Sequence, residues 1–569
     1  MKRELSFLLA VSLAASLTGC AAATVASNPG TVLSGSAAAE TTSYNAADAL
    51  TLTFTDSGIT GSGSGVEISG TALTISEPGT YLLTGSCADG SVKVKKGTAD
   101  VTLILSDLSL TSSTTAPITC GKSSVVTIVS ADGTTNTLTD AAQNNDTEYP
   151  DNTDAENAVI KSKDGAQVVL CGSGSLTLNA NGKNGIKSGT TDSETAQDAS
   201  LTIRELTLTI NAPVNDAINA EQLLNVESGI LTLDAADDAL HCDLVMNIGA
   251  DSTEGPTLTI TNAYEGIEAA ALNIASGDID ITCEDDCLNA GNSSLTNYDF
   301  EINISGGTLR AYTTAGDGFD SNGTMTISGG DIEVWTANAA DNQPLDSDGG
   351  ISLTGGTVLA AGGSNGMGMT LSAEQPYVTY GSGRGSMGGG FGGFGGFDGS
   401  FGGGQRPEQG EQPTDGERPE LPGSTDAQPD NAPTPPQGEA ENAPQGAPGT
   451  GAEGAQQPPM MQTDTTADSS GISLTAGDAF TITDADGTAV YSGTAVCNAS
   501  YLFYSSGALS MDAAYSLQTE SVSAESTAQT GTSGSGMAGG MGGQRPNDGR
   551  QQTKNTDTFP PEDKQNQPA

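Results

Sequence analysis

The sequence predicts an all-β chain wound as a β-solenoid, with parallel strands stacked coil upon coil. Three observations predict it. A short phrase recurs from Asn215 to Gly350: Asn215-Asp216-Ala217-Ile218, Asp237-Asp238-Ala239-Leu240, Tyr264-Glu265-Gly266-Ile267, Asp285-Asp286-Cys287-Leu288, Asp317-Gly318-Phe319-Asp320 and Pro344-Leu345-Asp346. Its apolar residues are spaced 22, 27, 21, 31 and 26 residues apart, a period in the twenties that marks a stacked repeat. Between the phrases lie alternating strand-like runs such as Gly229-Ile230-Leu231-Thr232-Leu233, and no segment sustains a 3.6-residue period.

The elements follow in order. Lys2-Arg3 and the apolar run Leu5 to Leu17 form a secretion signal too short to span a bilayer. Leu17-Thr18-Gly19-Cys20 resembles a bacterial lipobox, so residues 1–19 are expected to be removed and Cys20 lipidated. Residues 20–48, rich in Ala, Ser, Thr and Gly, read as a flexible tether. Strand signals dominate from Leu50 to Thr139, as in Thr80-Tyr81-Leu82-Leu83 and Val101-Thr102-Leu103-Ile104-Leu105. From Ala158 the coils become explicit. Early phrases at Ala158-Val159-Ile160-Lys161 and Asn184-Gly185-Ile186-Lys187 carry Lys where later ones carry acid or amide. Runs of the form Gly-x-Leu-x-Ile, such as Gly174-Ser175-Leu176-Thr177-Leu178 and Gly277-Asp278-Ile279-Asp280-Ile281, supply the strand before each phrase. Strand twist makes the crossovers right-handed. The solenoid is thus expected over residues 49–378.

Residues 379–470, first Gly with Phe and Met and then Pro, Gln and Glu, bury too little apolar surface to offset their ordering entropy and read as a disordered insertion. Strand signals return over 471–520, too short for an independent domain, and are expected to cap the last coils. Residues 521–569 read as a loose tail.

The totals narrow the function. The chain has 569 residues, 76 Gly, one Trp and a formal charge of −51. Such a charge excludes nucleic acid and anionic membrane surfaces as protein-contact partners. It favours cations, or anionic ligands bridged by cations. Apart from Cys20, the seven cysteines lack metal-finger spacing and read as small core residues.

A solenoid stacks equivalent residues, so a repeated Asp becomes a column of acid. Stacked strands lie ~4.8 Å apart. At that distance two carboxylates repel by about 1 kcal/mol in water and roughly 3–4 kcal/mol at an effective dielectric of 20. Between Arg204 and Arg310 there is no Lys or Arg, while Glu205 to Glu301 contribute 19 acids. The column must be solvated or hold cations. Recurrence at one register, with Asn215, Asn219, Asn289 and Asn322 offering neutral oxygens, favours cations, and oxygen-only ligation favours Ca²⁺. The sole histidine, His241, reads as a turn residue.

The stretch Ala315-Gly316-Asp317-Gly318-Phe319-Asp320-Ser321-Asn322-Gly323, the phrase Pro344-Leu345-Asp346-Ser347-Asp348-Gly349-Gly350 and the opening Gly79-Thr80-Tyr81-Leu82-Leu83-Thr84-Gly85 resemble a clostridial family of surface carbohydrate-binding proteins. The resemblance implies a right-handed parallel β-helix, similar to pectate lyases, with Ca²⁺ sites and affinity for plant cell-wall polysaccharide, including galacturonan and cellulose. It implies metal positions at Asp216, Asp237, Asp238, Asp285, Asp286, Asp317, Asp320 and Asp346, with Glu265 replacing Asp in one coil.

The expected function is a non-catalytic lipoprotein on the outer face of a bacterial membrane, monomeric, touching the membrane only through its lipid. It would bind acidic polysaccharide through Ca²⁺, with Tyr264, Tyr312 and Trp335 as stacking platforms. Three alternatives remain. A structural adhesin or spacer needs no defined sugar. A Ca²⁺-dependent lyase needs a basic residue beside the metal, and Lys161, Lys163, Lys183, Lys187, Arg204 and Arg310 lie only at the margins of the acidic coils. A hydrolase needs one carboxylate pair, which a repeated pair does not single out.

Overall fold

The computed structural model describes residues 46–145, 157–190, 199–249, 254–292, 295, 298–337, 342–363, 371–381 and 472–533. The signal segment, Cys20, the tether up to residue 45 and nearly all of the expected insertion lie outside them. The described residues are all-β apart from a 3-10 turn at Ala46–Asp48.

Thirty-four strands belong to one hydrogen-bonded sheet. In its central part the pairing is parallel, and each strand meets the equivalent strand of the next circuit of chain. Ser175–Asn179 pairs with Thr135–Thr139 on one side and Thr207–Ala212 on the other. Asn184–Lys187 pairs with Ala158–Ser162 and then Ile218–Ala220. Ser200–Ile203 pairs with Gln167–Cys171 and then Leu223–Val226. Three stacks result, and in two circuits a single long strand, Leu240–Ile248 or Ile267–Ile274, serves both the second and the third.

The alternation of apolar and polar residues dictates which side faces in. In the first stack Leu176, Leu208, Leu231, Leu258, Ile279, Leu309, Ile332 and Val358 lie directly over one another. All are fully buried. Each such side chain contributes about 1.5–3 kcal/mol on burial. A narrow file of aliphatic residues therefore replaces the broad core of a globular domain, which is how a chain this poor in large aromatics holds together. All seven described cysteines are buried, Cys497 in the cap cluster and Cys171 beside Ile104 and Val129.

Both ends break the parallel pattern. Val66–Ser69 and Ala72–Ile75 form an antiparallel hairpin near the start. Near the finish, Tyr501–Ser505 pairs antiparallel with both Thr357–Gly362 and Leu371–Gly381. Ala479–Asp484, Ala489–Thr494, Ala514–Gln518 and Ser523–Thr527 make a separate antiparallel sheet. Trp335, Phe480, Tyr504 and Leu517 pack in one cluster against it. An edge strand left open invites pairing with another chain, and these elements cover it. The boundary at 520 is corrected: Ser523–Thr527 and Gln529–Ser533 are strands, the latter paired with Leu371–Gly381. Their polar composition hid them, because they take their apolar contacts from Ala524 and Ala528 alone.

Candidate functional site

Each phrase sits at the corner between the first and second stacks. Its large apolar residue points inward: Ile218, Leu240, Ile267, Leu288 and Phe319 pair in register and are fully buried. Leu345 continues the series. The residue before it must be small. A Cβ on Gly318 would lie 2.4 Å from the Pro344 carbonyl, and one on Gly266 the same distance from that of Cys287. Acidic residues occupy the outward positions around this inward plug.

Backbone hydrogen bonds fix the stacking of the acids. The N–H groups of Gly185, Ala217, Ala239, Gly266, Cys287 and Gly318 donate to the carbonyls of Asp216, Asp238, Glu265, Asp286, Asp317 and Gln343 at 2.8–3.3 Å. One file therefore carries Asn184, Asp216, Asp238, Glu265, Asp286, Asp317 and Gln343. A second carries Asp237, Tyr264 and Asp285, linked at 2.8 Å by the Tyr264 and Asp285 N–H groups. A third carries Asn219, His241, Glu268, Asn289 and Asp320, in register from one circuit to the next. Asp346 follows in that third file, beside the Phe319–Leu345 bridge.

Several carboxylates also support the backbone. The Asp238 N–H donates to Asp216 Oδ1 (3.2 Å) and the Asp317 N–H to Asp286 Oδ1 (2.6 Å). The Gln343 N–H donates to Asp317 Oδ1. One oxygen of each group thus closes the corner of the next circuit. Asp216 gives its other oxygen to the Asn219 amide (2.6 Å).

Three sets of side chains bring their ligand atoms within 4.8 Å of one another: Asp216, Asp237 and Asp238; Asp238, His241 and Glu268; and Asp317, Asp320 and Asp346. Glu265, Asp285 and Asp286 fall in none of these sets. Burial and mutual repulsion raise the carboxyls. The Asp286 carboxyl is pushed up to about 8 by burial, against the Asp317 hydrogen bond that lowers it, with Asp285 and Asp320 adding to the rise. Glu265 goes to about 7, through burial and then Glu268. Asp317 goes to about 7 and Asp320 to about 6, through burial and Asp346. Asp216, Asp237 and Asp238 are raised by burial as well.

His241 corrects two expectations. It lies on the strand Leu240–Ile248, not in a turn. It also supplies positive charge inside the column. Its Nδ1 stands 2.9 Å from Asp238 Oδ2 and 2.7 Å from Glu268 Oε2, and its Nε2 3.0 Å from Asp243 Oδ1. Burial alone would lower its pKa, yet these carboxylates hold it well above the usual value. Carboxylates at both ring nitrogens call for two N–H donors, which only the imidazolium has.

A hard cation fits the remaining oxygens. Asp317, Asp320 and Asp346 form an all-oxygen set, the chemistry Ca²⁺ takes. The Asn289 amide nitrogen donates to Glu265 Oε2 (2.9 Å), while its carbonyl oxygen is buried with no hydrogen-bond partner. An orphaned neutral oxygen beside a carboxylate is what a cation would satisfy.

The aromatic residues separate. Tyr264 is 46% exposed and stands between Asp237 and Asp285 in the second file. A hydrogen bond to Asp285 pushes its phenol up to about 12. Tyr312 is half-buried against the cap cluster. Trp335 is 1% exposed, meets Phe480 edge-on at 6.1 Å and donates to Glu333 Oε1 at 2.7 Å. The expectation of a stacking platform at Trp335 is corrected: the cap covers it. Sequence reading missed Glu268 and Asp243. Glu268 follows its apolar residue as Asp320 does, so the register carried a signal for it. Asp243 acts through His241, which only the fold reveals.

With this geometry in place, comparison with known proteins adds a family. The sequence model of the carbohydrate-binding domain-containing proteins matches residues 69–366, more than half of the chain. A relative from Acetivibrio thermocellus, described as a carbohydrate-binding domain-containing protein, is 33% identical over 141 residues, 25% of this chain and 47% of its own length. The chain thus spans about half the length of that relative. A solved structure described as a polysaccharide lyase-like protein from C. thermocellum, gadolinium derivative, is 23% identical, with a TM-score of 0.31, covering 53% of this chain and 96% of its own. A score that low assigns no fold.

Proposed function

The chain belongs to the family of carbohydrate-binding domain-containing proteins, and from that premise we propose that it is a non-catalytic, calcium-loaded receptor for acidic polysaccharide, built on a right-handed parallel β-helix. The observation that carries this reading is the convergence of Asp317, Asp320 and Asp346 within 4.8 Å at the end of a continuous acidic column. Bound Ca²⁺ neutralises carboxylates that otherwise repel. Held by Asp317, Asp320 and Asp346, it would also bridge to the carboxylates of a uronate chain lying along the corner. Tyr264, exposed beside the acids, gives a ring face to the same chain. The circuit-by-circuit parallel pairing supports the β-helix, and strand twist supports its right hand. The lipobox-like Leu17-Thr18-Gly19-Cys20 supports lipid anchoring on the outer surface of a bacterial membrane.

A lyase would need a base beside the metal. The Arg310 guanidinium instead pairs with Asp278 (2.8 Å) and Asp280 (3.0 Å) on the outward side of the first stack. Lys187 donates to Asn219 (2.9 Å) and pairs with Glu221 (3.2 Å). These engagements favour the binding role over β-elimination.

The test is retention on immobilised polygalacturonate in millimolar calcium and in excess chelator. Chelation is expected to weaken retention at least tenfold, and equal retention in both conditions refutes the bridging. Release of unsaturated product absorbing in the ultraviolet refutes the non-catalytic part.

A further inference from the structure

The third file of the site does not stop at Asn219. Asn219 pairs with Lys187, Lys187 with Lys161, Lys161 with Thr119, Thr119 with Lys93 and Lys93 with Thr74. One register position therefore runs from ammonium groups at one end to carboxylates at the other, and His241 stands where the sign changes. All eight lysines between residues 46 and 553 fall within Lys93–Lys187, so the polarity extends beyond this one file.

A cavity of about 350 Å³ lies at the lysine end, among Thr74, Lys93, Ser112, Thr119 and Lys163. That volume is in the range of small-molecule sites. The one acid in its lining, Asp89, is already engaged: its Oδ1 accepts from the Ser113 N–H (3.0 Å) and hydroxyl (2.8 Å). The other lysines of the file are engaged too, Lys161 with Asn157 (2.7 Å) and Lys187 with Asn219 and Glu221. Lys93 is exposed and has no hydrogen bond or ion pair to any described residue. The cavity thus combines an uncommitted ammonium group with several hydroxyls, the donors that a carboxylated sugar accepts from.

We propose that this cavity is a second glycan subsite, one that holds a uronate unit directly through Lys93 and without a metal ion. The proposal rests on the acidic-polysaccharide reading above and adds a direction to it. From Lys93 to Asp320 the file takes eight strand steps, roughly 38 Å at ~4.8 Å each. A long polyuronate reaches both ends, held by an ammonium group at one and through cations at the other. Linking two weak contacts along one chain multiplies their affinity. A trimer fits only one end.

The experiment is calorimetric titration of the full chain with trigalacturonate and with its methyl ester, in excess chelator. The wild-type chain is expected to bind the trimer weakly, with affinity falling as salt rises, and to ignore the ester. Lys93→Glu is expected to lower that affinity at least fivefold, about 1 kcal/mol. It reverses an exposed charge, and an unchanged melting temperature would show that the fold survives. Lys93→Gln is expected to fall between the two. The proposal is overturned if the wild type does not bind the trimer in chelator, if Lys93→Glu binds it equally, or if the ester binds as well as the acid. Polymer retention in calcium, measured in parallel, separates the two readings: its loss alone sinks the calcium bridge, and loss of trimer binding in chelator alone sinks the lysine subsite.

Discussion

Asp317→Asn should change the sign of its effect on stability when calcium is added. The asparagine keeps an oxygen to accept the Gln343 N–H, so the corner of the chain retains its hydrogen bond. What changes is the charge. The Asp317 carboxyl rises from the ordinary 3.8 to about 7, chiefly through burial. A raised folded-state pKa means that stability is fully present below pH ~4 and is lost as pH climbs to about 7. Three units at 1.36 kcal/mol each set a ceiling of about 4 kcal/mol. Asp317 is only partly buried, and Asp320 and Asp346 share its proton load, so about 1–2 kcal/mol is the expected share. With about 360 described residues, unfolding entropy near 2.1 cal/mol/K per residue makes 1 kcal/mol worth about 1.3 °C. In chelator at pH 8 the variant should therefore melt about 2 °C above the wild type, and at pH 4 the two should coincide. In millimolar calcium at pH 8 the order should reverse, because the variant has lost a ligand from the Asp317–Asp320–Asp346 set. Differential scanning calorimetry at the two pH values, with and without calcium, reads all of this. A difference of one sign under every condition would refute the reasoning.

Other outcomes follow from the same geometry. Since His241 is the only histidine, its ring signals are identified without assignment, and in chelator NMR titration should place its pKa well above 6.5. An ordinary midpoint would deny the contacts with Asp238, Asp243 and Glu268. Leu231→Ala should lower stability by about 2–5 kcal/mol, because the side chain is fully buried between Leu208 and Leu258, and denaturant midpoints would show it. Trp335→Ala should destabilise by about 3–5 kcal/mol without weakening polygalacturonate retention at a temperature where both proteins are folded. Tyr264→Ala should do the opposite, leaving the melting temperature in place and reducing retention, since its side chain is exposed at the corner rather than packed in the core.

The acidic files were legible because a repeat writes its geometry into its period. Once Ile218, Leu240, Ile267, Leu288 and Phe319 are seen as equivalent plugs, their outward neighbours must stack, since strand pairing holds equivalent residues one step apart. The part that could not be read is lateral. His241 reads as a turn residue in sequence because nothing there singles out Asp238 and Asp243 as its partners, and Glu268 lies a whole circuit away. Trp335 reads as an open platform in sequence because its cover, Phe480, is 145 residues further along. The strands beyond residue 520 were overlooked because polar segments pair well when an existing edge offers its hydrogen bonds.

Period, inward alternation and sign of charge were therefore properties of the chain as written: all-β winding, a stacked acid column and a lysine-bearing beginning are present in the order of residues. Which side chains converge within ligand distance, which aromatic stays in water and where a cavity opens depended on contacts between remote segments. The reason is range. Hydrogen-bonded stacking repeats locally and leaves a pattern in one dimension, whereas packing of the cap and of the corner side chains joins residues whose separation follows no period.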